Sequence, residues 1–439
     1  MKIGAIKIGA KKIAVIGAGW AGCAAAVEAT RAGHHVSVFE ASRTPGGRAR
    51  RVDVAHDGET FALDNGQHIL IGAYLETLKL MADVGVDMAA SLHRMPLTLQ
   101  FPDGSGLKLP KLPKLPSSLS ALLGIVRARG WSWADKLSLL KTATHWQLRK
   151  FQCPPHQSVA DLCSKVSPRI MTTLIEPLCV SALNTPADRA SGQVFLRVLR
   201  DSLFAGIGGS DLLLPRVDLS ALLPDAALAW LTVQGSEVHL GIRVQSITPQ
   251  ISRSWQLGGA ANVALGTFDR VILACPPADA ARLVQSSSLL CDAWLAPTQA
   301  LQHEAIATVY ALAPGRRLAE PMLALASNPV YPAQFVFDRG QLDGPAGLLA
   351  FVISANQQGS AELTGQVTAQ ARDQLGISNL HILQTVIEKR ATFACTPGLQ
   401  RPPQSIAPGL LACGDYVDGP YPATLEGAVR SGLHAASLI

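Results

Sequence analysis

Residues 12 to 22 read Lys12-Ile-Ala-Val-Ile16-Gly17-Ala18-Gly19-Trp20-Ala21-Gly22, and this stretch decides the fold. Ile13 to Ile16 are apolar and partly β-branched, as a buried parallel strand requires, and three glycines follow at the spacing of a dinucleotide fingerprint. Each glycine answers a separate demand. Gly17 permits the tight turn, Gly19 lets the backbone approach a pyrophosphate, and Gly22 lets the helix of Cys23 to Arg31 pack closely on the strand. The pyrophosphate then sits at the positive N-terminus of that helix, with Ala18, Trp20 and Ala21 forming the rest of the turn. A second apolar strand, His35 to Phe39, ends in Glu40. A carboxylate there accepts the ribose hydroxyls of an adenosine and repels a 2′-phosphate, which argues against NADP.

Working outward, 439 residues with 48% hydrophobic content bury a large core and suit two domains. No window of 18 uncharged apolar residues occurs, so no membrane span is expected. The first twelve residues are interrupted by lysines and run straight into the first strand, unlike a signal peptide. The eight cysteines are scattered, several of them inside apolar runs such as Val-Ile-Leu-Ala-Cys275. They are expected to be reduced packing residues of a cytoplasmic protein, not disulfides or ligands of a metal.

Six to eight residues beyond Glu40 come Gly46-Gly47-Arg48. At the far end, the apolar run Gly409 to Cys413 is followed by Gly414-Asp415 and then by Leu425-Glu426-Gly427 opening a last helix. Together with the first fingerprint, these segments resemble the FAD-dependent oxidoreductases of the amine oxidase and phytoene desaturase superfamily. The resemblance implies FAD as the cofactor. It implies Arg48 at a phosphate, Asp415 at the ribityl or pyrophosphate portion, Val244 at the adenine, and the amides before Leu425 and Gly427 at the flavin. A helix start at that place can stabilise negative charge on a reduced ring.

The expected fold class is therefore α/β: an FAD-binding Rossmann-like domain of the amine oxidase type with an inserted α+β substrate domain. The cofactor domain takes residues 1–95, 221–290 and 396–439, a helical and membrane-facing part 96–220, and a substrate-domain sheet 291–395. Residues 236–247 alternate like a strand pair, and 268–277 form a buried strand stopped by two prolines. Gly206-Ile-Gly-Gly209 lacks a preceding strand and is a loop, so no second nucleotide site is expected.

From Lys108 to Lys150 there are nine basic residues and one acid, an excess larger than the +6 of the whole chain. Leu112, Leu115, Leu119, Leu122, Leu123, Ile125 and Val126 share this stretch with Trp131, Trp133 and Trp146. Leucines, cations and indoles together suit an anionic membrane surface, against the plainer alternative of a solvated helical face. The apolar share and the absence of a binding motif argue against nucleic acid.

Two further segments narrow the resemblance. Asp64-Asn65-Gly66-Gln67-His68 and Glu176-Pro177-Leu178-Cys179-Val-Ser-Ala-Leu-Asn184-Thr185 look like those of the hydroxysqualene dehydroxylases, the squalene-associated FAD enzymes of hopanoid biosynthesis. That resemblance covers nearly the whole chain. It implies an apolar C30 isoprenoid substrate and loss of its hydroxyl, while the basic stretch from Lys108 to Lys150 is what suggests peripheral attachment to the inner face of the membrane; no pattern names the electron donor. His68, in the Gly66-Gln67-His68 segment that passes the flavin, and Glu176 are the candidate proton donors to the leaving hydroxyl. A carotenoid desaturase or isomerase is the alternative, and a prenyl-lipid binder without flavin or an amine oxidase fits less well.

Overall fold

The computed structural model describes residues 9–111, 117–203 and 206–439. Leu112, Lys114, Leu115 and the first eight residues lie outside them.

A six-stranded sheet forms the cofactor domain, in the order Glu237–Leu240, His35–Glu40, Lys12–Ile16, Arg270–Leu273, Leu410–Ala412, Ser405–Ala407. The first five run parallel and the last is antiparallel. Central strands buried on both faces need continuous apolar runs, and Ile13 to Val15 and Val271 to Leu273 are wholly buried. One face is covered by helices Trp20–Arg31, Pro224–Val233 and Leu425–Ser437. The other is covered by a three-stranded antiparallel sheet, Ser246–Pro249, Trp255–Gly258 and Ala264–Phe268.

The expected strand pair over 236–247 is corrected here. Glu237–Leu240 pairs in parallel with His35–Glu40, while Ser246–Pro249 starts the covering sheet. Gly241, at φ 75°, turns the chain out of one layer and toward the other.

The inserted region is an antiparallel sheet of five strands in the order Met322–Ala324, Phe335–Asp338, Leu348–Asn356, His303–Leu312, His381–Phe393. Alternation divides its side chains between two cores. Phe335, Phe337, Ala350, Val352 and Tyr310 face the helices of residues 117–203, whereas Val336, Leu349, Phe351 and Ile353 face helix Ser360–Leu375. Leu212–Pro215 pairs with both Leu70–Ile71 and Leu92–Met95, so the helical insertion is stitched to the segment before it.

Helices Ser117–Arg127 and Trp133–Leu148 carry most of the basic stretch. Two of its three indoles turn inward: Trp131 and Trp146 are buried in the main core. Lys136 is buried too, its Nζ donating to the Val126 carbonyl at 2.7 Å and lying 5.1 Å from the Trp133 ring centre. What remains outside is Leu119, Leu122, Val126, Trp133, Leu137 and Leu148, each at least 39% exposed.

Candidate active site

The turn after Lys12–Ile16 is forced by sterics. Gly17 sits at φ 116°, and a Cβ there would lie 2.5 Å from the Ala274 carbonyl oxygen. At Gly22 a Cβ would fall 1.9 Å from the Gly17 oxygen. Gly19 differs. Its nearest protein neighbours would be Gly47 Cα at 3.9 Å and the Gly46 oxygen at 4.0 Å, so the protein itself leaves room for a side chain. Gly19 is the N-cap of Trp20–Arg31, whose first turn has neither an acidic residue nor a side-chain cap. Uncapped amides at a helix start make an electropositive seat for an anion.

Glu40 is fixed at the end of its strand, where its two carboxylate oxygens accept from Ala18 N and Ser42 N, each at 2.8 Å. Gly46 N donates to the Ala18 carbonyl at 2.9 Å and Trp20 Nε1 to that of Ala49 at 3.2 Å, binding the two glycine turns together. Arg48 reaches across the domain. Its Nη2 meets Asp415 Oδ1 at 2.5 Å and its Nη1 the Ala391 carbonyl at 2.7 Å. The arginine expected at a phosphate is thus paired with the aspartate expected at the ribityl chain. Thr424 caps the last helix by accepting from Gly427 N at 2.9 Å.

These parts surround one cavity of about 690 Å³, within the range of small-molecule sites. Gly17, Gly19, Glu40 and Val244 line one end. Gly47, Arg48, Gly66, Gln67, His68, Gly414, Asp415 and Leu425 line the middle, and Trp20 and Ala21 also contribute. The substrate-domain part of the lining includes the apolar side chains of Val180, Ala182, Ile306, Phe335, Phe337 and Val352, with Ser181, Asn184, Ser354, Glu388 and Thr392 beside them. Ala18, Gly22 and Gly427 do not reach the cavity; they shape the turns that do. For Gly427 the reason is plain, since a Cβ would lie 1.9 Å from the Tyr421 oxygen.

His68 Nδ1 lies 2.7 Å from the Gly66 carbonyl. A carbonyl only accepts, so Nδ1 carries the hydrogen and Nε2 is left as an acceptor. Burial holds the imidazole pKa below its usual value, the Arg48 cation lowers it further, and the Gly66 bond only partly offsets both. The ring is therefore neutral near pH 7, which corrects the expectation of a resting acid. Glu176 is corrected more fully. It does not line the cavity, and its Oε2 accepts from Ala187 N at 3.3 Å, bracing the loop after its own helix. Burial raises its pKa, and Asp188 adds to this. The Glu176 to Asn184 segment meets the cavity instead through Val180, Ser181, Ala182 and Asn184.

Tyr416, His303 and Arg282 are among the lining residues that were not anticipated. Tyr416 is buried, and its hydroxyl has no partner among the described residues; His303 lies near Arg48 and Arg390; Arg282 donates to the Gln245 carbonyl at 2.8 Å, steadying the Val244 turn. Gln67 Oε1 is a second buried polar atom without a partner. Orphaned polar groups in native proteins call for an explanation. Two in one cavity, beside an uncapped helix start and a glycine that protein packing does not require, fit a polar cofactor such as FAD.

The family model for flavin containing amine oxidoreductases matches residues 20–439. The chain belongs to that family. As a flavin containing amine oxidoreductase it uses FAD, which the residues above would hold. Its relatives include the hydroxysqualene dehydroxylase of Rhodopseudomonas palustris, 32% identical with 98% of each chain covered. That of Sinorhizobium fredii is 26% identical with the same coverage. An oxidoreductase structure from Methanosarcina mazei superposes with a TM-score of 0.73 at 18% identity, covering 98% of this chain and 100% of the other, and shows the shared fold.

Proposed function

We propose that this protein is an FAD-dependent oxidoreductase that removes the hydroxyl of hydroxysqualene to give squalene. The observation that carries the reading is the continuity of one cavity from the glycine turns to a wall of Val180, Ile306, Phe335, Phe337 and Val352, supported by the curated relatives. A triterpene needs an apolar surface of this kind to lie against.

Flavin bound here in its reduced state would supply the hydride, and the departure of the hydroxyl as water would consume one further proton, drawn from solvent because neutral His68 only accepts. The chain's contribution is placement and exclusion of solvent. The apolar wall orients the hydrocarbon and strengthens electrostatic interactions by keeping water out. Neutral His68 offers Nε2 as an acceptor for the substrate hydroxyl, orienting the C–O bond. Anaerobic incubation of the reduced protein with hydroxysqualene should yield squalene in the lipid extract. A longer conjugated polyene formed from a carotenoid precursor, with hydroxysqualene untouched, would favour the carotenoid alternative.

Peripheral attachment to the anionic inner face of the membrane from the cytoplasm belongs to the same proposal. No helix among the described residues is long and apolar enough to cross a membrane. Leu119, Leu122 and Val126 form an exposed apolar stripe on Ser117–Arg127, and Arg127, Arg129, Lys141, Arg149 and Lys150 are exposed nearby. Such a face suits an interfacial helix, whose substrate is itself a membrane lipid.

A further inference from the structure

A second cavity, of about 580 Å³, lies away from the cofactor site. Its apolar floor includes Met95 and Leu109, and Lys108, Lys111, Arg127 and Arg129 stand at its rim against a single carboxylate, Glu320. Glu320 is taken up by an ion pair with Lys108. Lys111, Arg127 and Arg129 have no ion-pair partner among the described residues, and all three are exposed.

The walls of this cleft are held rigidly. Gly106 and Arg129 exchange backbone hydrogen bonds, 3.0 Å from Gly106 N and 3.3 Å from Arg129 N. Helix Ser117–Arg127 lies so close to the strand side that a Cβ on Gly124 would fall 2.4 Å from Leu109 Cδ2. Three like charges gathered around one hollow repel one another unless an anion joins them. Two guanidinium groups match the paired oxygens of a phosphate.

We propose that this cleft binds the phosphate headgroup of an anionic phospholipid. The membrane reading above is its premise, and two observations select a lipid. The exposed stripe Leu119, Leu122 and Val126 ends at Arg127, so a helix with that stripe among acyl chains holds Arg127 and Arg129 at headgroup depth. The apolar floor, in turn, suits the glycerol and upper acyl segment beneath a headgroup.

The test is co-sedimentation of the FAD-loaded protein with vesicles of phosphatidylglycerol in phosphatidylcholine, and with phosphatidylcholine alone. The R127Q/R129Q variant should bind the anionic vesicles roughly thirtyfold more weakly, at about 1 kcal/mol per cation. The charge-matched R149Q/K150Q control, outside the cleft, should lose several-fold less. At equal ionic strength, inorganic phosphate should displace the wild type from vesicles better than chloride does, and this preference should vanish in R127Q/R129Q. Equal weakening in both variants, or no preference for phosphate, overturns the cleft while leaving membrane attachment intact. A wild type that ignores anionic vesicles overturns attachment itself. If phosphate then still raises its thermal stability, and not that of R127Q/R129Q, the cleft binds a free anion and the lipid assignment fails.

Discussion

The two ends of the main cavity are built by opposite means. At the nucleotide end the backbone does the recognising: glycines, uncapped amides and a fixed Glu40 carboxylate leave a shape that side chains only brace. At the apolar end the backbone is an ordinary antiparallel sheet, and recognition lies in which alternate side chains face inward. Backbone recognition tolerates almost no change at a few positions, whereas recognition by apolar surface spreads small losses over many.

The sharpest way to break this contrast lies inside one turn. Gly22→Val should leave little folded protein, because a Cβ at 1.9 Å from a carbonyl oxygen has nowhere to move and overpacking alone costs about 3 kcal/mol. Gly19→Val should fold yet remain colourless, because the space it fills is the ligand's; urea unfolding of the apo form and flavin absorbance report the two effects. A yellow Gly19→Val protein would remove the basis for placing the pyrophosphate there.

His68→Ala should keep its flavin and lose about 100-fold in kcat, the usual scale for losing one well-placed group. The sign of the pH profile tests its role. Neutral His68 as an acceptor requires activity to rise as pH climbs through the ring's depressed pKa, below the usual 6.5, and then to level off. A rate that instead falls over that interval would restore His68 as the acid.

Arg48→Gln should cost about 2 kcal/mol of stability by leaving the buried Asp415 carboxylate unpaired, and should weaken FAD retention on dilution. Ile306→Ala is expected to do least. Losing part of one apolar contact should lower kcat/KM for the triterpene about tenfold, with flavin binding unchanged. A loss at Ile306 as large as that at His68 would mean that the apolar wall is not the diffuse surface described.

The same contrast explains what the sequence made legible. The strand, the three glycines and the acid at Glu40 are local requirements, so spacing alone exposed them. Gly47-Arg48 and Gly414-Asp415 were each visible as segments, but their joining was not: Arg48 and Asp415 are 367 residues apart, and nothing near either names the other. Tyr416 stood next to a recognised aspartate, and Thr424 three residues before Gly427 is a legible helix cap. His303 and Arg282 sit in ordinary sheet and helix contexts, and only tertiary packing brings them to the cavity. Composition misled where it could not see direction. Trp131 and Trp146 share a stretch with Trp133 but turn into the core, and Glu176 opens a helix that meets the cavity only through its last turn and the Asn184 beyond it.

Helix Trp20–Arg31 packs against helix Leu425–Ser437 so closely that a Cβ on Gly432 would lie 2.2 Å from the Ala21 oxygen. Strand Lys12–Ile16 likewise waits for Arg270–Leu273 as its neighbour, and that strand waits for Leu410–Ala412. During synthesis the nucleotide turn therefore emerges among the first segments and gains its last supporting wall almost four hundred residues later, several tens of seconds at common elongation rates. Through that interval the half-built sheet exposes an apolar edge, a hazard for the nascent chain. A fragment ending before Leu425 lacks the helix that packs on Ala21 and the lining residues Leu425 and Ala428, and is expected to be colourless when its flavin absorbance is measured.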